Sequence, residues 1–161
     1  MPTPCPAAVP GLARPADDAT APVPSSDAVR DRFRRQRVRD TAPELALRRL
    51  LHARGLRYRV DQAPVPGLRR RADVVFTGAR IAVFVDGCFW HRCPQHFTAP
   101  KSNAQWWKDK IERTVHRDRQ TDQALTAVGW VVLRIWEHEP PQAAADRVES
   151  AWRHRRATTP C

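Results

Sequence analysis

Apolar residues first recur at helical spacing at Leu47, Leu50 and Leu51. Thr41-Ala42-Pro43-Glu44 has the form of a capping box with Pro in the first turn, and Gly55 supplies a stop, so a helix is predicted over about 42–53. Tyr58 and Val60 predict a short strand, followed by a loop containing Pro64, Pro66 and Gly67 and the basic run Arg69-Arg70-Arg71, which faces solvent or phosphate. Asp73-Val74-Val75-Phe76-Thr77, a Gly78-Ala79 turn and Arg80-Ile81-Ala82-Val83-Phe84-Val85 predict a hairpin of largely buried strands at the centre of a sheet. Trp107, Ile111, Val115, Leu125 and Val128 predict a long helix from Ala104 to Val128 that ends at Gly129. Trp130 to Trp136 is another buried strand, with both tryptophans in the core, and Pro140-Pro141 opens an amphipathic helix through Val148 and Trp152 towards Arg156. The order is that of a small α/β domain with a mixed sheet.

Composition adds an outline of domains. Residues 1–30 hold seven of the fifteen prolines and no aromatic residue, too little apolar surface to offset the entropy of ordering. A disordered leader is expected there, then one folded domain over 31–156 and a short tail at 157–161. The leader is slightly acidic, so the formal charge of +11 belongs to the folded part and favours a polyanion, nucleic acid first. Arg30 to Arg39 is an arginine-rich run with Phe33 at its middle, either a solvated arm or a segment that tracks DNA. Apolar runs are too short for a membrane span, and no secretory signal is visible, so an intracellular protein is expected.

Of the four cysteines, Cys88 and Cys93 lie in the dense run Cys88-Phe89-Trp90-His91-Arg92-Cys93-Pro94-Gln95-His96, and His138 follows a distant strand. Cys88, Cys93, His96 and His138 would make a Cys2His2 set of the kind that holds structural Zn, pinning a loop too polar to fold alone. The alternative makes the cysteines small buried hydrophobes. Asp73 opens a hydrophobic strand directly after the arginine loop, where an unpartnered carboxylate is costly. Asp86 and Glu44 are carboxylates that could converge on it. A divalent ion held by Asp73 and a strand-end carbonyl at Val85 would suit metal-assisted phosphodiester hydrolysis, with His91 as proton carrier. The other reading leaves Asp73 and Asp86 as strand caps or arginine partners. Phe89-Trp90 and Trp106-Trp107 stand amid Arg92, Lys101, Lys108, Lys110 and Arg113, a pattern that can stack on or wedge between bases.

Phe84-Val85-Asp86-Gly87-Cys88-Phe89-Trp90-His91, Trp106-Trp107, Arg117-Asp118-Arg119 and Gly129 to Glu137, with Arg39-Asp40-Thr41-Ala42-Pro43-Glu44, closely resemble the very short patch repair (Vsr) DNA mismatch endonucleases over about residues 30–140. The resemblance implies a variant of the PD-(D/E)xK restriction-endonuclease-like fold. It also implies a Mg-dependent nick 5′ of the thymine in a T:G mismatch, of the kind left when 5-methylcytosine deaminates. By position, Asp73 matches the metal-binding aspartate, Val85 the residue offering a backbone carbonyl, His91 the catalytic histidine, and Glu44 a carboxylate near that centre. Phe89, Trp90 and Trp107 match aromatics that enter the duplex from one side, and Phe33 falls where an arm residue wedges from the other. Cys88, Cys93, His96 and His138 match the structural Zn site.

This chain departs from that pattern at His116, which replaces a commonly acidic position, and at two places that bear on the site. Asp86 stands where some members carry a second active-site histidine, which opens a direct metal role for it, and Phe84-Val85-Asp86 occupies the acid-x-Lys position of the wider fold without a lysine. The proton work then falls to His91. The expected protein is a monomer in the cytoplasm, associated with the nucleoid, whose partner is DNA with a T:G mismatch. A mismatch-repair protein and a cognate cytosine-5 methyltransferase system are further candidates. The rival expectations are a nuclease of this fold with another DNA target, restriction-type or junction-cleaving, and a non-catalytic Zn-dependent DNA-binding protein.

Overall fold

A strand whose residues are apolar at every position must be covered on both faces, so Ile81 to Val85 requires a layer of helix or loop on each side. The computed structural model describes residues 39–158 and residues 26, 27, 30, 31 and 35. Its elements are α1 (Ala42–Ala53), β1 (Arg59–Gln62), β2 (Ala72–Phe76), β3 (Ile81–Asp86), α2 (Ala104–Ala127), β4 (Val131–Trp136) and α3 (Pro141–Thr158), in the order the periodicity predicts. Most of the expected leader, and Phe33 in the basic arm, lie outside the described residues.

The strands form one sheet in the order β1-β2-β3-β4, so the β2–β3 hairpin is central as expected. β1 and β2, and β2 and β3, pair antiparallel, whereas β4 lies parallel to β3 from Ile81↔Val131 to Asp86↔Trp136. Parallel neighbours need a long crossover, which α2 supplies. Alternation sends Ile81 and Val83, with Ile135, to one face, where they meet Leu47 and Leu51 of α1 and Ala144, Ala145 and Val148 of α3. Ala82 and Phe84 turn to the other face and meet Leu125 of α2 and Trp130. The same alternation brings Asp86, at the carboxyl end of β3, and Arg134 of β4 to the α2 side.

Four local features add to the expectations or revise them. Thr41 caps α1 without a side-chain bond to the helix backbone; its hydroxyl donates to Glu44 Oε1 at 2.7 Å, and Glu44 Oε2 accepts the Asp40 N–H at 3.0 Å, so Glu44 gathers the entry to α1 rather than closing a reciprocal box. The β2–β3 turn places its left-handed residue at Arg80 (φ 51°), not at Gly78. The arginine loop faces solvent through Arg69, Arg70 and Arg71, yet Val65 and Leu68 within it plug the α2-side core. Trp136, expected in the core, is only partly buried and stacks against His138, 6.4 Å between ring centroids. Among the described residues no helix is long and apolar enough to cross a membrane.

Leu51 has no exposed surface and sits where α1 packs on α3 and the sheet. Leu51→Ala should lower folding stability by about 2 to 5 kcal/mol through lost burial and a residual cavity. Urea unfolding followed by circular dichroism measures it, with the midpoint falling and the slope unchanged.

Candidate active site and metal centre

β2 pairs with β1 as far as Ala72, but its register with β3 ends at Val74↔Val83. Asp73 sits where the two strands part. Its Oδ2 accepts the Val85 N–H at 2.7 Å, so the side chain takes a donor that the ladder leaves over. Burial pushes the Asp73 carboxyl up to about 6; negative Glu44 and Asp86 push the same way, against the Val85 N–H and Arg48. An acid with this balance gains by meeting a cation, which would hold it ionised. Val85 lies one step along the same edge, and strand alternation places its carbonyl on the β2 side with its N–H.

Glu44 is itself buried and occupied: besides Thr41 and Asp40 it has Arg48 Nη2 at 3.4 Å, and the same nitrogen lies 2.6 Å from Asp40 Oδ1. α1 therefore presents an acid and a base beside Asp73, both fixed by the chain segment that leads into the helix.

His91 begins the loop after β3. Its Nδ1 lies 2.6 Å from Asp118 Oδ2 of α2 and 3.5 Å from Asp86 Oδ1. A carboxylate accepts only, so Nδ1 carries the proton and Nε2 is turned to the opposite side of the ring. Burial works against the imidazolium, but Asp118 and the charge of Asp86 outweigh it and raise the His91 pKa, with Arg134 opposing. Asp86 is almost fully buried; burial raises its pKa, while His91 and Arg134 pull it down. Arg134 Nη1 donates to both Asp86 oxygens at 2.9 Å, and such a pair is ionic. Asp86 thus acts on both Asp73 and His91, and it links the two expected catalytic residues into one electrostatic unit.

At the end of the same strand, Cys88 and Cys93 are buried free thiols, while His96 and His138 are exposed. Their ligand atoms all lie within 4.8 Å of one another. Cys88 Sγ is 3.1 Å from His138 Nδ1, and Cys93 Sγ is 3.8 Å from Nδ1 of both His96 and His138. Four ligands at about 2.0 to 2.3 Å from one ion in a tetrahedron stand roughly 3.3 to 3.8 Å apart, so the set fits a tetrahedral divalent metal. Burial pushes the Cys88 thiol up to about 12, helped by Cys93 and Glu137, which means that without a cation the thiolate is strongly disfavoured. The Cys88 N–H donates to Glu137 Oε1 at 2.6 Å, and the Glu137 N–H donates to the Asp86 carbonyl at 2.9 Å, so the residue after β4 binds the metal loop and the end of β3 together.

Phe89, Trp90 and Trp107 pack on one another at 5.2 to 5.9 Å between centroids, in edge-to-face or tilted contacts, with Phe97 and Trp106 at the margins. All are partly buried, and Lys110 Nζ sits 4.7 Å from the Trp106 ring centre. The result is an aromatic group with its own cation beside the metal loop. In the arginine loop, Arg71 is held by Asp61 at 2.7 Å, which also takes Arg39 at 3.0 Å.

The structure therefore brings Asp73, Val85, Glu44, Asp86 and His91 to one end of the sheet, and Cys88, Cys93, His96 and His138 into one cluster. Three participants were not singled out from sequence: Asp118, Arg134 and Glu137. A signal existed for the first. Asp118 and Asp122 lie on the same helical stripe as the buried Ile111, Thr121 and Leu125, and a carboxylate on a buried stripe needs a partner. The matching cation was Arg134, alone among apolar residues of β4.

Comparison with known proteins places this geometry in a family context. The family model described as DNA mismatch endonuclease Vsr matches residues 26–96. The type II nicking enzyme V.NaeI of Lentzea aerocolonigenes is 42% identical over 137 residues, 84% of this chain and 82% of that protein. The type II nicking enzyme V.XorIIP of Xanthomonas oryzae is 41% identical over 116 residues, 68% of this chain and 81% of its own length. The DNA mismatch endonuclease Vsr of Escherichia coli is 41% identical over 101 residues, covering 62% of this chain and 63% of itself.

Cys93→Ser should purify with less divalent metal than the wild type, as read by plasma mass spectrometry. Its folding stability should fall by about 4 kcal/mol or more, the size expected when a structural metal is lost.

Proposed function

The chain belongs to the Vsr family of DNA mismatch endonucleases, and from that premise we propose that it nicks double-stranded DNA 5′ of the thymine in T:G mismatches left by deamination of 5-methylcytosine, so initiating very short patch repair. The domain, residues 31–156, is then a variant of the PD-(D/E)xK restriction-endonuclease-like fold.

Asp73 and the Val85 carbonyl would hold Mg2+, and Cys88, Cys93, His96 and His138 would hold Zn2+. Bound Mg2+ supplies Lewis-acid polarisation of the scissile phosphate. His91 would carry the proton through Nε2, while Asp118 fixes its ring through Nδ1. Glu44 flanks Asp73 and keeps its surroundings negative, which favours uptake of a cation, while the charge of Asp86 is met by Arg134. The observation that carries the reading is the 2.6 Å bond from His91 Nδ1 to Asp118, made next to the parted strands where Asp73 stands. Such a histidine is committed to one tautomer, as proton transfer at a defined atom requires.

Phe89, Trp90 and Trp107 enter the duplex beside the mismatch, and Phe33 of the arm at 31–40 wedges from the other side. A T:G wobble stacks and pairs less well than a matched pair, so the distortion costs less there. Arg69, Arg70 and Arg71 meet phosphates. The protein works as a monomer in the cytoplasm, at the nucleoid, alongside a cognate cytosine-5 methyltransferase system and a mismatch-repair protein.

A second reading has an observation behind it. Relatives covering four-fifths of their own length are named type II nicking enzymes, and this favours a nick set by another DNA target, of restriction type. An end-labelled T:G duplex and its C:G twin, incubated with and without Mg2+, separate the readings. The first expects a nick in the T:G duplex alone and only with Mg2+; nicking of the matched twin at equal rate supports the second. Asp73→Ala should abolish nicking while binding of the T:G duplex persists in a mobility-shift assay. His91→Ala should slow it by about a hundredfold or more with the fold intact.

A further inference from the structure

Arg134 is a guanidinium set in the middle of a strand, between Val132 and Trp136, and its fork is used on every side. Nε donates to Asp122 Oδ1 at 3.1 Å and Oδ2 at 3.0 Å, and Nη1 to both Asp86 oxygens at 2.9 Å. Nη2 donates to Asp122 Oδ1 at 3.0 Å and to the Asp118 carbonyl at 3.4 Å, and Asp118 Oδ1 is also 3.4 Å away. The ring of Phe84, its register partner on β3, lies 4.9 Å from the guanidinium carbon. One cation thus gathers three carboxylates that would otherwise repel each other, and one of these holds His91.

We propose that Arg134 is the positioning residue of the nicking reaction: it seats Asp118 so that His91 is held at one orientation, and it binds Asp86 so that this carboxylate serves as its counter-ion and not as a metal ligand. The proposal rests on the nuclease reading above. Asp86 has the guanidinium against both oxygens and the His91 ring 3.5 Å from one of them. A divalent ion arriving there would meet the guanidinium against both oxygens and the His91 ring beside one of them. Asp73 is different: its contact partner is a backbone N–H, and no guanidinium touches its oxygens among the contacts described. Metal binding and ring positioning are therefore divided between two carboxylates only one strand apart, with Arg134 drawing the line. A lysine could supply the charge but not the planar fork that reaches Asp86, Asp118 and Asp122 together.

The test uses the full-length, metal-replete chain. Arg134→Lys keeps the charge and loses the fork, and a folded variant is confirmed by its backbone amide spectrum. In nitrogen-15 NMR the wild type should show a hydrogen-bonded His91 Nδ1–H resonance, and Arg134→Lys should lose it. Single-turnover nicking of the T:G duplex should fall about tenfold or more while duplex affinity stays within about twofold, the signature of a displaced reacting group. Asp86→Asn should slow nicking yet keep its half-saturating Mg2+ concentration within about twofold of wild type. If Arg134→Lys does not fold, the charge-neutral double variant Asp86→Asn/Arg134→Gln is read by the same resonance and the same rate. An unchanged His91 resonance or a wild-type rate in the Arg134 variant would overturn the positioning role. A Mg2+ requirement raised about tenfold in Asp86→Asn would make Asp86 a ligand after all. Failure of the wild type to nick any duplex would count against the nuclease reading, while the His91 resonance still decides the role of Arg134.

Discussion

Where β2 parts from β3, a backbone N–H loses its ladder partner, and the Asp73 side chain takes its place. That substitution is the constraint on which the remaining arrangement turns. It fixes a carboxylate at the head of an inner strand, away from bulk water, in the field of two other acids. The chain can accommodate this only because Arg48 stands near and because Glu44 is tied down by Thr41 and Asp40. The parting of the strands and the placement of the acid are one event, since a continued ladder would leave the Val85 N–H no reason to seek a side chain.

The acids of the site fall into two groups with opposite needs. Asp86, Asp118 and Asp122 are satisfied from within, by Arg134 and His91. Among the described residues no cation contacts the Asp73 oxygens, and the partner they have is the Val85 N–H. In the proposed reading, this inequality decides where a divalent ion goes. The Cys/His cluster then does mechanical work: it closes the loop that carries His91 and the aromatic residues, and Glu137 couples that loop to the ends of both parallel strands. The segment from Cys88 to His96 forms no regular helix or strand, so in that reading a metal would tie together what a backbone ladder does not.

Much of this was legible in the sequence. The elements follow directly from periodicity, because the sheet is covered on both faces and its strands read as continuous apolar runs. The four Cys/His positions come together because they sit at the ends of β3 and β4, which the parallel register brings side by side. What was not legible was pairing across space. The sequence does not say that Arg134 meets Asp118 and Asp122, or that Asp118 lies opposite His91, since both depend on how α2 is laid across the sheet. Trp136 shows the converse limit: alternation gives the face of a strand, but not how completely that face is covered at the strand's end. Glu44 kept the place expected of it near Asp73, yet its hydrogen bonds to Thr41 and Asp40 show it anchoring the start of α1 as well.

The central claim is that Asp73 holds a divalent ion at the parted strands, and the most direct measurement is of that ion. Mn2+ can be titrated into zinc-loaded protein bound to a non-cleavable T:G duplex and followed by electron paramagnetic resonance. The account predicts that the wild-type complex takes up Mn2+ and that Asp73→Asn, equally folded and equally bound to the duplex, does not at the same concentrations. Equal uptake by the two would contradict it.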